Sequence, residues 1–260
     1  MLEILSKELT SFDKRLFEVA LNTKGECGIA LKSAVRHIER SLILVDSMPE
    51  VSAFLAMTAE EEIVTGLFHL LKQKQFSGSE KLNKNNHLHK QGVYLFTQLL
   101  LESVFNHLIG QNVQLRFDDN NVLRLDVPLS SFGKEVRDEN GNELFISPIP
   151  PLGTLSVDEN GNHKSYDKDI HDLAKSKNIS NINSYLKKIA NQRNKVLYAT
   201  PNKIPECKNA DEIVKDKIRV MTGIVIMFLL IFPHQAKRQI LVQDALNAYL
   251  QVLGKIERNT

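Results

Sequence analysis

The sequence predicts a mainly α-helical protein that carries a small β-hairpin region. Apolar residues recur at helical spacing in both the N-terminal and the C-terminal parts of the chain. This spacing is lost over residues 112–166, where turn signals are frequent. Neither helical part has enough apolar faces to close a core alone. We therefore expect residues 1–260 to form a single helical domain in which 112–166 is an insertion between helices.

Four helices are predicted before residue 110. The first contains Leu16, Val19 and Ala20 at helical spacing, the third covers 49–76 and the fourth covers about 87–109. Proline at position 49 suits the first turn of a helix, and glycines follow the third and fourth segments as helix ends. The second helix has an apolar stripe that consists of Ile29, Ala30, Ala34, Ile38, Leu42 and Val45.

The inserted region is predicted to form two or three β-hairpins. VQLRF and VLRLDV flank the polar segment 118–121, and DENGN occurs at 138–142 and again at 158–162. Asn-Gly accepts positive φ at both central positions of a type I′ turn, which makes it a strong hairpin signal. These acidic turns lack the ligand spacing of an EF-hand, so we interpret them as turns and not as calcium sites.

Helices are predicted again over 167–175, 181–199, 210–232 and 235–257. The longest apolar run has 13 residues, from Val220 to Phe232, against the ~20 that cross a bilayer, so we expect a buried core helix and no membrane segment. The last two helices together offer more apolar surface than one bundle face uses. We therefore expect a homodimer that buries the excess.

Charge and composition exclude several classes of protein. The difference between 33 Lys+Arg and 31 Asp+Glu gives a net charge of +2, which is too small for a protein that coats nucleic acid. Cys27 and Cys207 form no CxxC pair, which suits a reducing, cytoplasmic location. P-loop, GxSxG and HExxH motifs are absent from the sequence. His87 and His89 are two residues apart on different sides of a helix, so no metal and no cofactor are predicted.

The helix predicted over 181–199 turns an arginine towards the core. Arg193 follows Ile189 by four residues and precedes Leu197 by four, and both lie on the apolar stripe. Because arginine keeps its charge, its burial requires a carboxylate partner. We therefore expect a buried acid elsewhere in the chain.

The third helix supplies acids of this kind. Its apolar face is interrupted by three glutamates at 60–62, with Glu62 inside the face and Glu61 on the adjoining edge. We expect Arg193 to pair with Glu62, or with Glu61, across two packed helices. Such a pair either belongs to a functional site or fixes the register of the two helices, and the residues alone leave both interpretations open.

These segments resemble AbiV-type abortive infection proteins and, more broadly, the HEPN superfamily. The resemblance rests on AEEE at 59–62, HLHKQ at 87–91 and RNKVLY at 193–198, and it covers residues 25–110 and 167–200. It implies an HEPN-like antiparallel helical bundle and a role in bacterial phage defence. Many members of the superfamily are metal-independent endoribonucleases that use an R-x(4–6)-H motif near an acidic residue, usually across a dimer.

Carried over to this sequence, the resemblance assigns catalytic positions to Arg193, the polar Asn194 that follows it, Tyr198, Glu61 and Glu62. The histidine of the motif is missing, because Tyr198 stands at its position, as it does in AbiV-like members. An unperturbed tyrosine with a pKa of about 10 transfers protons poorly near neutrality. Whether the protein is an enzyme is therefore open at this point.

Two functions follow from these observations. The first is a phage-defence protein of AbiV/HEPN type that binds or cuts RNA, or binds a component of the translation machinery, with a phage protein as a further candidate partner. The second is a non-catalytic helical interaction module, homodimeric, in which the Glu, Arg and Tyr residues are architectural. The basic side chains of Lys187 and Lys188 suit either an RNA contact or a solvated helix face.

Overall fold

The computed structural model describes residues 2–93, 97, 113–132, 136–153, 184, 188, 198 and 205–257. Within these ranges the chain is mainly helical and contains a small three-stranded antiparallel sheet. The second DENGN turn and the helix predicted over 167–175 lie outside the described residues. Of the helix predicted over 181–199, Ser184 and Lys188 are described and helical, and Tyr198 is described and not helical.

Three helices form the N-terminal part, with bounds Ser11–Leu21 for α1, Gly25–Leu44 for α2 and Pro49–Gln73 for α3. The side chain of Thr10 caps α1 by accepting a hydrogen bond from the backbone N–H of Asp13 at 3.1 Å. Helix α3 was predicted to continue to Phe76. Instead, Gln75 adopts a φ of 62°, which ends the helix and lets Phe76 pack into the core.

Three further α-helices are described after α3. Helix α4 begins at residue 87, with 87–93 and 97 helical; α5 spans Ala210–Ile231 and α6 spans Ile240–Glu257. Helix α6 starts five residues later than predicted because a 3-10 turn precedes it. The buried side chain of Gln239 fixes this junction by donating a hydrogen bond to the carbonyl oxygen of Leu230 at 2.8 Å.

The sheet lies in the predicted insertion. Its strands are β1 (Gln114–Phe117), β2 (Leu123–Pro128) and β3 (Phe145–Ile146), in the spatial order β1-β2-β3. Phe117 pairs with Leu123 across the first hairpin, and β2 contacts α5. The insertion therefore packs onto the helices through its central strand.

Two described turns of this region share one geometry. Asp118 and Asp138 each accept backbone N–H bonds from the residues two and four positions further on. The residue three positions after each aspartate has positive φ, 59° at Asn121 and 80° at Gly141. The predicted type I′ turn at Asn140-Gly141 is wrong in this detail, because only the glycine has positive φ. The aspartate cap and one left-handed residue suffice to turn the chain.

Helix α3 is central to the hydrophobic core. It packs against α2 and α5, while α1 also packs against α5. At Gly66 the two helices are in van der Waals contact, since a Cβ atom there would lie 3.4 Å from the carbonyl oxygen of Cys27 on α2. Because α3 has neighbours on several sides, polar residues on it also become buried, including Glu60 and Glu61.

The apolar face of α2 differs in one position from the predicted stripe. Ile29 is 70% exposed, whereas Ala30, Ala34 and Ile38 are buried as expected. The inward direction at the start of α2 is taken by Cys27, which is buried. Ile29 follows Cys27 by two residues, and residues two apart point to nearly opposite sides of a helix. The prediction that Ile29 lies on the buried stripe was therefore wrong.

The last two helices bury more of their apolar surface within the chain than the sequence indicated. Ile224, Phe228 and Ile231 of α5 are buried, as are Leu246 and Tyr249 of α6, all in the same core. The apolar runs of these helices are therefore used inside one chain and do not argue for a second subunit. Within the described ranges, no helix combines the length and the apolar character needed to cross a membrane.

Candidate functional site on helix α3

The structure describes three of the five predicted site residues. Glu61 and Glu62 lie on α3, and Tyr198 is 65% exposed. Arg193 and Asn194 lie outside the described residues. The pairing of Arg193 with an acid of α3 therefore stays a prediction.

The three consecutive glutamates of α3 face different neighbours, because successive helical residues are about 100° apart. Glu60 contacts α5, Glu61 contacts the start of α4, and Glu62 lies on the side of α2. Burial lowers the pKa of His37 on α2, and the charge of Glu62 partly opposes this shift. The sequence placed Glu62 inside the apolar face; it is only partly buried, whereas Glu60 and Glu61 are buried.

Glu61 is a buried carboxylate with several donors around it. It is 4% exposed, and its two oxygens lie 2.9 and 3.0 Å from Nδ1 of His87. Nζ of Lys90 lies 3.1 Å from Oε2, and Nε2 of Gln91 donates a longer hydrogen bond to Oε1 at 3.4 Å. All three donors come from the first turns of α4, so the start of this helix is held on the middle of α3.

The carboxylate of Glu61 lies against both a lysine and a histidine side chain. Lys90 is itself buried, and an ammonium at 3.1 Å favours the ionised carboxylate. An ionised carboxylate only accepts hydrogen bonds, so Nδ1 of His87 is the donor. The side chain of His87 is 52% exposed, whereas its partner is buried. The result is a solvent-accessible imidazole whose ring orientation and tautomer are set by a buried acid.

Glu60 forms a second and simpler buried pair. It is 3% exposed, and its Oε2 lies 2.6 Å from Nζ of Lys217 on α5, a side chain that is also largely buried. Burial raises the pKa of Glu60, and the ammonium of Lys217 offsets this only in part. This pair joins α3 to α5 in the core, and neither of its side chains is as exposed as that of His87.

His87 and His89 differ in direction, as the sequence indicated. Nδ1 of the buried His89 accepts a hydrogen bond from the backbone N–H of Asn83 at 3.1 Å, and its carbonyl oxygen accepts one from the hydroxyl of Tyr249. Among the described residues, no group of three or more His, Cys, Asp and Glu side chains is arranged to hold a metal ion.

A cleft of about 790 Å³ with a mixed polar and apolar lining lies beside the buried His89, between the segment after α3 and helix α6. Its described lining includes Lys81 and Asn247 and excludes both Glu61 and His87. The cleft is therefore separate from the charged cluster on α3.

Comparison with known proteins adds no assignment. No protein-family model matches the chain, and no curated protein and no solved structure matches it.

The role of His87 at this site was not found from the sequence. Its contact with Glu61 joins residues 26 positions apart in the chain, and its geometry depends on the course of the segment between α3 and α4. The one local signal is that HLHKQ, which begins a predicted helix, places His, Lys and Gln within five residues of each other.

Proposed function

We propose that the protein is a phage-defence protein of AbiV type, with an HEPN-like helical bundle, that acts on RNA as a metal-independent endoribonuclease. The observation that carries this proposal is Glu61: the acid that the resemblance assigns to the site is buried and is bound by basic side chains of the following helix. RNAs of the translation machinery are the proposed substrates, and a phage protein is the proposed activator.

Chemistry at this cluster suits RNA more than other substrates. Cleavage of RNA without a metal uses the 2′-hydroxyl as nucleophile, and it needs proton transfer together with positive charge near the phosphate. The cluster contains an imidazole, and the resemblance adds Arg193 as the positive charge. The exposed side chain of Lys188, on the same predicted helix as Arg193, adds a cation for the RNA backbone.

The test is cleavage of RNA by the purified full-length protein in EDTA. Reactions contain total RNA and are run with and without lysate of phage-infected cells, which supplies an activator. We expect products with 2′,3′-cyclic phosphate and 5′-hydroxyl ends, and no cleavage by Arg193→Ala. Arg219→Ala serves as the matched control, because Arg219 is a mostly exposed arginine that pairs with Asp216 on α5. No cleavage at any protein concentration, with or without lysate, would refute the proposal.

The second candidate is a non-catalytic, homodimeric interaction module. Two observations favour it: both buried glutamates have lysine partners within the chain, as in structural ion pairs, and Ile29 and Ile43 are exposed on α2. Light scattering would then give twice the mass of the chain, and Ile29→Ser with Ile43→Ser would reduce this to the monomer mass. A monomer at micromolar concentration for the wild type would argue against the module.

A further inference from the structure

We propose that His87 is the catalytic proton-transfer residue of this site and that Glu61 is its positioning residue. This inference rests on the proposed function and deepens it. The motif of the resembling nucleases provides a histidine that is replaced here by Tyr198. His87, on a different helix, would supply an imidazole in its place.

The geometry of His87 combines two features that a general base requires. The ring is held by both oxygens of a buried carboxylate at 2.9 and 3.0 Å, and the side chain is 52% exposed and so within reach of a bound polymer. His89 has only the first feature, because it is hydrogen-bonded and buried. His69 pairs with Glu26 at 2.9 Å, but there the histidine is the less accessible member, with the carboxylate largely exposed.

The orientation of the ring determines the chemistry. Nδ1 faces Glu61, so proton exchange with the substrate takes place at Nε2. Nε2 removes the proton of the 2′-hydroxyl while that oxygen forms a bond to phosphorus and the bond from phosphorus to the 5′-oxygen breaks. The leaving 5′-oxygen takes a proton from water, and His87 later returns its proton to the hydroxide so formed. The products are a 2′,3′-cyclic phosphate and a 5′-hydroxyl, with no net change in the protein.

In the part of the chain that the structure describes, charged groups near His87 lie on α3 and α4. Glu61 of α3 faces Nδ1, and Lys90 of α4 binds the same carboxylate. Glu61 acts on this reaction by holding the His87 ring through Nδ1, and Lys90 holds the carboxylate that does so. Loss of the Glu61 charge should therefore slow the reaction only through His87.

The experiment compares RNA cleavage by the full-length protein in EDTA for the wild type, His87→Ala, Glu61→Gln and the double variant. His69→Ala is the matched control, because it removes another histidine whose Nδ1 lies 2.9 Å from a glutamate. We expect His87→Ala to lower kcat by about 100-fold or more with little change in KM. Added imidazole should restore part of that rate, and the limb of the pH–rate profile due to His87 should vanish. Glu61→Gln should lower the cleavage rate of the protein that retains His87, and it should cause no further loss in the protein that carries His87→Ala.

The possible outcomes separate the role of His87, the role of Glu61 and the proposed function from one another. Cleavage by His87→Ala at the wild-type rate with an unchanged pH profile, while Arg193→Ala is inactive, overturns the role of His87 and leaves the proposed function in place. A further loss in the double variant overturns the positioning role of Glu61. Absence of cleavage by the wild type overturns both proposals. Circular dichroism verifies folding, and His87→Gln replaces His87→Ala if the latter does not fold.

Discussion

Glu60 and Glu61 are neighbours on one helix, equally buried, and yet they lie in different environments. Glu60 meets a single lysine in the core between α3 and α5. Glu61 meets a histidine, a lysine and a glutamine from the start of α4, and the histidine is half exposed. Because both acids are buried, each would be costly to leave without a partner. Only Glu61 has a partner that solvent readily reaches, so only Glu61 can take part in chemistry with a bound molecule.

Removal of the Glu61 carboxylate should have the largest effect on stability. Glu61→Leu leaves the buried ammonium of Lys90 without this partner, and breaking a buried ion pair from one side costs about 3–5 kcal/mol. Urea denaturation at pH 7 measures the change. A loss below about 1 kcal/mol would show that Lys90 reaches solvent easily and that the cluster is loosely held.

Removal of the Lys217 ammonium should have a smaller effect, because the remaining acid can become neutral. Lys217→Met leaves Glu60 buried, and we expect a loss of about 1–3 kcal/mol at pH 7. The loss should shrink as the pH is lowered, since a protonated Glu60 no longer requires a cation. A loss that stays constant down to pH 4 would contradict this explanation.

The raised pKa of Glu60 predicts a particular dependence of stability on pH. A carboxyl group whose pKa is raised on folding stabilises the protein fully below its ordinary value of 4.5, and this contribution is lost as the pH rises through the folded value. The free energy of unfolding of the wild type relative to Glu60→Gln should therefore fall with rising pH, by at most about 1.4 kcal/mol per pH unit. Parallel urea series above pH 4 measure it, and a relative stability that rises with pH would contradict the assigned direction.

Replacement of His87 should have the smallest effect on stability. The side chain is half exposed, so His87→Ala should lower the free energy of unfolding by less than about 1 kcal/mol. Thermal and urea denaturation measure this, with His69→Ala as the comparison. A loss above about 2 kcal/mol would indicate that His87 serves the fold, and it would weaken the distinction between the two glutamates.

Local patterns predicted much of the fold. The spacing of Ala30, Ala34 and Ile38 and the proline at 49 led to helices α2 and α3. Strand β1 falls in the segment VQLRF, and strand β2 covers most of VLRLDV and extends one residue beyond it. The end of α3 was less predictable, because it depends on the left-handed φ of Gln75, a residue type that does not signal it.

The candidate site was predictable only in part. Three adjacent glutamates in an apolar face indicate that some of them are buried, but periodicity pointed to Glu62, and the actual neighbours of α3 bury Glu60 and Glu61. The partner of Glu60 is 157 positions further along the chain, at Lys217. Contacts of this kind depend on how distant helices pack, which no local spacing encodes. The expected Arg193 contact depends on the same packing and stays a prediction.

The central claim is that Glu61 holds the accessible ring of His87 by its Nδ1 proton. Long-range ¹H–¹⁵N NMR of the imidazole, at a pH where the ring is neutral, measures directly which nitrogen carries the proton. We predict a protonated Nδ1 and an unprotonated Nε2 for His87. A protonated Nε2 in the neutral ring would contradict the account, because that tautomer cannot donate to Glu61 and has no lone pair at Nε2 with which to accept a proton from a substrate.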